Sequence, residues 1–369
     1  MLSQRAKNIS STTGYSQFFE LAARIKNPCN LSIGQPHFDV PEPIKQAAVD
    51  AMRNGGNAYT PVEGLLTLRQ AVLQQYAEKG NPQEGVVITS GVTGGLVLSL
   101  LAVMDPGDEV VMSDPYYLAN KHLTRILGGT PVYVDTYPDF RWKAEKLAAV
   151  ITPRTKAIMV TSPSNPTGQM LTEQEAEAIV AIARKQDLWI LYDQVYEVYD
   201  YVQRPIALSQ FYPKTITLNG FSKSHSMTGW RVGTAAGSTE VTHTLTNLQQ
   251  YCHICPPSLG QWGALTAMRT STAPQVAAYK KNRDRMVAAL QPYYDFCIPE
   301  GAFFIFMPAP QGMTGSAFSS YAAEKEGLLI FPGNVFSERD THTRVSFAVD
   351  EAMLDRGIHL LQKMATRRA

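Results

Sequence analysis

Cysteine is scarce: Cys29, Cys252, Cys255 and Cys297 are the four thiols in 369 residues. So few, so scattered, make no disulfide framework in a chain of this length. Cys252 and Cys255 have the spacing of half a zinc or redox site, but no second ligand pair follows, so no metal is expected. Long apolar runs are missing as well. The stretch 96–104 is broken by Ser99 and stopped by Asp105, far short of the roughly 20 residues a bilayer requires. Residues 1–26 carry Arg5, Lys7, Glu20 and Arg24 and no continuous apolar core, which argues against a secretory signal and for a cytoplasmic protein. Nor is one sign of charge in excess. With 33 Lys and Arg against 32 Asp and Glu, the formal net charge is +1, and no basic face invites nucleic acid or an anionic membrane. These absences leave a globular chain whose partner is a small molecule.

What the sequence does have is alternation. Between about residues 85 and 235, short β-branched runs at 86–89, 109–113, 131–136, 156–161, 188–192 and 215–218 are separated by helical patterns. Helices are expected at 94–104, 117–127 and 172–186, the last opening with Thr172 and Glu175 in capping-box spacing. This is an α/β pattern, a mainly parallel sheet flanked by helices. Beyond 261–269 it changes to a long helix over 273–290, a strand over 302–307 and a terminal α/β segment. The expectation is a large domain of residues 48–270 and a smaller, discontinuous α/β domain of 1–47 and 271–369, with the helix around 44–52 packing near the latter.

In an open parallel sheet, ligands bind beyond the carboxyl ends of the strands, so the polar residues there carry the chemistry. After the first strand, the backbone of Gly91, Val92 and Thr93 and the Thr93 hydroxyl could hold a phosphate, although taken alone a plain Gly-rich turn is the favoured reading. Tyr117, after the second, could lay its ring on a planar cofactor or simply fill core. Asn165 offers an amide within a Pro-fixed turn. Asp193 ends an apolar strand, where a carboxylate is costly unless it faces a cation or caps a helix; Tyr196 presents a phenol nearby. After the sixth strand, Lys223 stands among small residues as a potential Schiff-base amine, and Arg231 is a fork suited to a phosphate.

Taken together with further motifs, the chain resembles the fold-type-I pyridoxal-phosphate-dependent aminotransferases of classes I and II, most nearly the aspartate-aminotransferase-like group. The resemblance rests on Ser32-Ile33-Gly34-Gln35-Pro36, Ala58-Tyr59-Thr60-Pro61 with Gly64, Asp105-Pro106-Gly107-Asp108, Ser164-Asn165-Pro166-Thr167-Gly168 and Asp193-Gln194-Val195-Tyr196. It continues through residues 219–233, Gly301-Ala302-Phe303-Phe304, Pro332-Gly333 and Arg344-Val345-Ser346-Phe347. It implies that Lys223 carries pyridoxal phosphate as a Schiff base, Asp193 pairs with the ring nitrogen, and Asn165 and Tyr196 bind the phenolic oxygen. By the same resemblance Gly91, Val92, Thr93 and Arg231 hold the phosphate, Tyr117 stacks on the ring, and Arg344 takes the substrate carboxylate with Gly34 and Asn165 beside it. Tyr59 would reach the phosphate of a second subunit, which implies a homodimer. Gly220 departs from the pattern, because many relatives carry Ser or Thr there, and Ser222 is the candidate to compensate.

The activity implied is ping-pong transfer of an amino group from an L-amino acid to a 2-oxo acid. A carbon–sulfur β-lyase of the same fold is the alternative. A non-catalytic regulator is disfavoured, since only about 30 residues precede Gly34. His225 and Trp230 read as packing residues. Tyr15, Phe18 and Phe19 either line an apolar pocket or anchor the N-terminal arm, and anchoring is favoured.

Overall fold

The computed structural model describes residues 13–366, with side chains from Phe18 onward. Its strands, in chain order, begin with β1 (Cys29–Asn30), β2 (Gly85–Ser90), β3 (Glu109–Asp114), β4 (Thr130–Asp135), β5 (Thr155–Thr161) and β6 (Trp189–Asp193). They continue with β7 (Thr215–Gly220), β8 (Val232–Gly237), β9 (Phe304–Pro308), β10 (Leu328–Leu329), β11 (Phe331–Pro332) and β12 (His342–Ser346). Seven of them form one sheet in the order β2-β8-β7-β6-β5-β3-β4. The six strands expected from the sequence are all in it. β8 was not anticipated, and it alone runs antiparallel, between β2 and β7.

Period-two side-chain alternation gives this sheet two apolar faces. Val110 and Met112 of β3 pack with Leu98 and Leu191 on one side, whereas Val111 packs with Ile179 and Ile190 on the other. Helices Gly91–Val103 and Glu173–Lys185 are among those that cover the faces. The capping box forms: Glu175 N–H donates to Thr172 Oγ1 at 3.2 Å, and Thr172 N–H to Glu175 Oε2 at 2.8 Å.

The terminal segment builds a second core. Helix Ala273–Leu290 starts where the sequence indicates, and the antiparallel sheet β11-β12-β9 packs with it through Tyr279, Phe303, Phe304 and Phe347. N-terminal residues are woven into this unit. β1 pairs in parallel with β10, and Ser346 N–H donates to Leu31 O at 2.7 Å. One expectation is corrected here. Helix Glu42–Arg53 sits against the large sheet's side of the molecule, with Ile44 packed among Leu68, Val86 and Ala264, so a boundary at residue 47 would cut through a helix. Ile44 faces aliphatic partners from both β2 and the helix Ser258–Ala267, which explains its preference for that side. Among the described residues no helix is long and apolar enough to cross a membrane.

Candidate active site

The carboxyl ends of β2, β5, β6 and β7 converge on a cavity of about 560 Å³. Arg231 reaches the same place because β8 runs backwards: its first residues, Val232 and Gly233, pair with Ser90 and with Gly220. Arg231 has a left-handed backbone, φ 54°, and its Nη1 donates to Thr228 O at 2.9 Å. The guanidinium lies so close to Gly91, itself at φ +68°, that a Cβ there would stand 2.4 Å from Nη2. Only glycine serves at this position, since any side chain would displace the arginine.

Lys223 sits in the short helix Phe221–Ser224 that follows β7 directly. Its Nζ donates to Gly34 O at 2.6 Å. Burial lowers the ammonium from 10.5 to about 8, with the Arg344 and Arg231 cations adding to the shift and Asp193 opposing it. Asp193, at the end of β6 and 5% exposed, is raised from 3.8 to about 6 by burial. The Val195 N–H, 3.0 Å from its Oδ1, and the Lys223 charge limit that rise.

Arg344, from β12 and 4% exposed, joins the two cores. Its Nη1 donates to Asn165 Oδ1 at 2.9 Å and its Nη2 to Ser32 O at 2.8 Å. The guanidinium centre lies 4.3 Å from the Phe304 ring and 4.5 Å from that of Phe336. Asn165 Nδ2 in turn reaches Tyr196 Oη at 3.5 Å. Burial pushes the Tyr196 phenol well up, so it stays protonated and can donate.

Of the residues singled out in the sequence, Gly34, Val92, Thr93, Tyr117, Asn165, Asp193, Tyr196, Ser222, Lys223, Arg231 and Arg344 all line the cavity. Gly91 backs it through Arg231. Tyr59 does not line it: the ring is 79% exposed on the outside of the chain. Gly220 is not in the wall, whereas Ser222 is. Phe18 and Phe19 both line it, so they do more than anchor the arm; the Tyr15 side chain lies outside the described residues. Residues missed from sequence include Leu118, Phe331 and Phe336. Phe331 adjoins the Pro332-Gly333 motif, the one signal that could have pointed to it.

Comparison with known proteins agrees with this geometry. The family model described as aminotransferase class I and II matches residues 26–361. Aspartate aminotransferase of Bacillus subtilis is 31% identical, covering 94% of each chain, and so is aromatic-amino-acid aminotransferase 2 of Thermococcus litoralis. Among solved structures, the aspartate aminotransferase of Thermotoga maritima superposes with a TM-score of 0.94 at 28% identity, over 99% of this chain and 100% of that one. These matches favour amino transfer over the lyase alternative. The chain belongs to the class I and II aminotransferases, and as a member of that family it is an aminotransferase dependent on pyridoxal phosphate.

Proposed function

We propose that this enzyme moves an amino group from an L-amino acid to a 2-oxo acid by a ping-pong cycle, with Lys223 as the residue that bears the cofactor and later handles the proton. The observation that carries this reading is the convergence of Lys223, Asp193, Asn165, Tyr196 and Arg344 on one cavity from elements far apart in sequence. The residues fit pyridoxal phosphate. Asp193 is a buried carboxylate placed to meet a cationic ring nitrogen, and Asn165 with Tyr196 offers two donors for a phenolic oxygen. Tyr117 would stack on the ring. Thr93, Ser222, Arg231 and the backbone of Gly91 and Val92 would hold the phosphate, with Arg231 pressed on Gly91 as the fork.

When bound, the cofactor supplies an electron sink for charge developing at the substrate α-carbon. The chain's own residues do the rest. Arg344 and Gly34 hold the α-carboxylate, and a guanidinium fixes both orientation and charge there. Burial lowers the Lys223 ammonium, favouring the neutral amine, so once released it can take the α-proton and return it. A cation beside Asp193 favours its ionised form, and the ionised form keeps the ring nitrogen protonated.

The enzyme acts as a cytoplasmic homodimer in this reading, with the exposed Tyr59 reaching the partner's phosphate. Its large domain spans most of 42–270, and the segments before and after form the small one, as their separate apolar cores suggest. The experiment is an absorbance spectrum of the protein loaded with pyridoxal phosphate. A visible band is expected that disappears on adding an L-amino acid and returns with a 2-oxo acid. A protein that remains colourless after incubation with pyridoxal phosphate would refute the Lys223 assignment. Initial-rate lines that intersect, instead of running parallel in double-reciprocal plots, would rule out the ping-pong cycle.

A further inference from the structure

Tyr117 and Leu118 enter the cavity wall from the segment after β3, and Phe336 enters it from the segment between β11 and β12. The two segments are fastened to each other by residues outside that wall. Two of the ties use backbone: Tyr116 N–H donates to Phe336 O at 2.8 Å, and the Glu338 N–H is shared by the two carboxylate oxygens of Asp114 at 3.3 and 3.4 Å. A third tie is a triangle of side chains. Tyr116 Oη donates to Glu338 Oε1 at 2.7 Å, while Lys121 Nζ donates to Tyr116 Oη at 2.9 Å and to Glu338 Oε1 at 2.6 Å.

Packing holds the triangle in place. Tyr116 is buried, and its ring stacks on that of Tyr133 in β4 at 5.1 Å. The Lys121 ammonium lies 5.3 and 5.8 Å from the centroids of those two rings, with only 17% of its side chain exposed. Water therefore screens its end of the ion pair less than in an ordinary surface pair, although Glu338 is exposed. Lys121 stands in the first turn of helix Leu118–Ile126, which Tyr117 directly precedes. Fixing Lys121 fixes the roll of that turn, and with it Tyr117 and Leu118. On the other segment, the Phe336 ring lies 4.5 Å from the Arg344 guanidinium.

We infer that Glu338 is a positioning residue for amino transfer: gripped by Tyr116 and Lys121, it sets Tyr117 toward the cofactor ring and Phe336 against the Arg344 guanidinium. This rests on the amino-transfer reading for the tasks of Tyr117 and Arg344, whereas the triangle itself can be tested apart from turnover. Its loss should appear in the amino-acid KM and little in kcat, because a carboxylate clamp holds substrate and transition state alike. The donor is whichever of L-aspartate, L-phenylalanine and L-alanine bleaches the visible band of the parent holoenzyme fastest. In Lys121→Glu and in Glu338→Lys, KM should rise about tenfold with kcat within about threefold, as an attraction becomes a repulsion. The double exchange Lys121→Glu/Glu338→Lys should bring KM back to within about threefold of the parent. The new ammonium can donate to Tyr116 Oη from the loop, and Tyr116 Oη can donate to the new carboxylate on the helix.

Hydrogen exchange of the same holoenzymes is independent of turnover. Amides of residues 116–121 and 336–339 should exchange about tenfold faster in either single variant and at the parental rate in the double exchange. Tyr116→Phe keeps the stacked ring and decides the matter if the charge reversals do not fold: KM should rise about threefold and the same amides should quicken. Unchanged exchange in the folded single variants overturns the tie. A lowered thermal midpoint with unchanged KM, or a double exchange that restores amide protection but not KM, overturns the positioning role and leaves the triangle merely structural. If the amides respond as described but no amino acid bleaches the parental band, the amino-transfer reading has failed and the role of Glu338 in it falls too.

Discussion

Burial raises Asp193 from 3.8 to about 6, so between those values the folded chain keeps a proton that the unfolded chain has released. The stability this contributes is fully present below 3.8 and is lost as pH rises through 6, an effect of ~3 kcal/mol. In the cofactor-free protein, urea denaturation should show that loss between about pH 4 and pH 6 relative to Asp193→Asn; identical pH slopes in the two proteins would contradict the burial argument. With cofactor, the same substitution should cut turnover by roughly 10²-fold or more, because the charge that supports the ring nitrogen is gone. Residues such as Asp193, Lys223 and Asn165 were legible because each follows a readable strand. Phe331 was marked only by the adjoining Pro332-Gly333 motif and Phe336 by nothing local, since it is the fold that brings both to Arg344. At Gly220 a Cβ would lie 3.1 Å from both Gly233 Cα and Val232 O, so a serine there would require β7 and β8 to part by a few tenths of an ångström.

At the scale of elements, the segment over residues 32–37 is tied at both ends. Arg344 holds Ser32 O, and the His37 N–H donates to Tyr279 Oη at 2.9 Å, with His37 Nδ1 at 3.1 Å from the same hydroxyl. Tyr279 also packs against Tyr199, whose Oη donates to Lys223 O at 2.9 Å. Helix Ala273–Leu290 thereby positions Gly34 over the lysine amine without touching substrate. In Tyr279→Phe the ring packing remains but both His37 contacts go. The amino-acid KM should rise about fivefold, and backbone exchange over 32–37 should quicken in the cofactor-free protein, while cofactor affinity stays constant; equal loss of cofactor affinity would mark the hydroxyl as merely structural. Strand β8 escaped the sequence reading for a related reason of packing. Val232-Gly233-Thr234-Ala235-Ala236-Gly237 is built of small residues, which a buried strand needs where helix Gly91–Val103 crosses close, and it lacks the bulky β-branched pattern that identified its neighbours.

For the whole molecule, the exposed Tyr59, 79% accessible on an outer loop, lies outside the cavity of the single chain. Sedimentation should give twice the 40.7 kDa chain mass, and Tyr59→Ala should weaken cofactor binding without changing that mass. A monomer that binds the cofactor normally would count against a shared site. The α/β class and the alternation of the large sheet were legible because their periodicities are local. The side taken by helix Glu42–Arg53 was not, because it depends on partners more than 200 residues away, such as Ala264.

The large sheet is drawn from one uninterrupted stretch, whereas the segment bearing Gly34 is stitched to β10 and β12. Domains assemble as units while synthesis proceeds from the N-terminus. In chain order, the large sheet and Lys223 precede β10 and β12, the strands to which the segment bearing Gly34 is stitched. Arg344, on β12, is among the last parts of the cavity wall to be made.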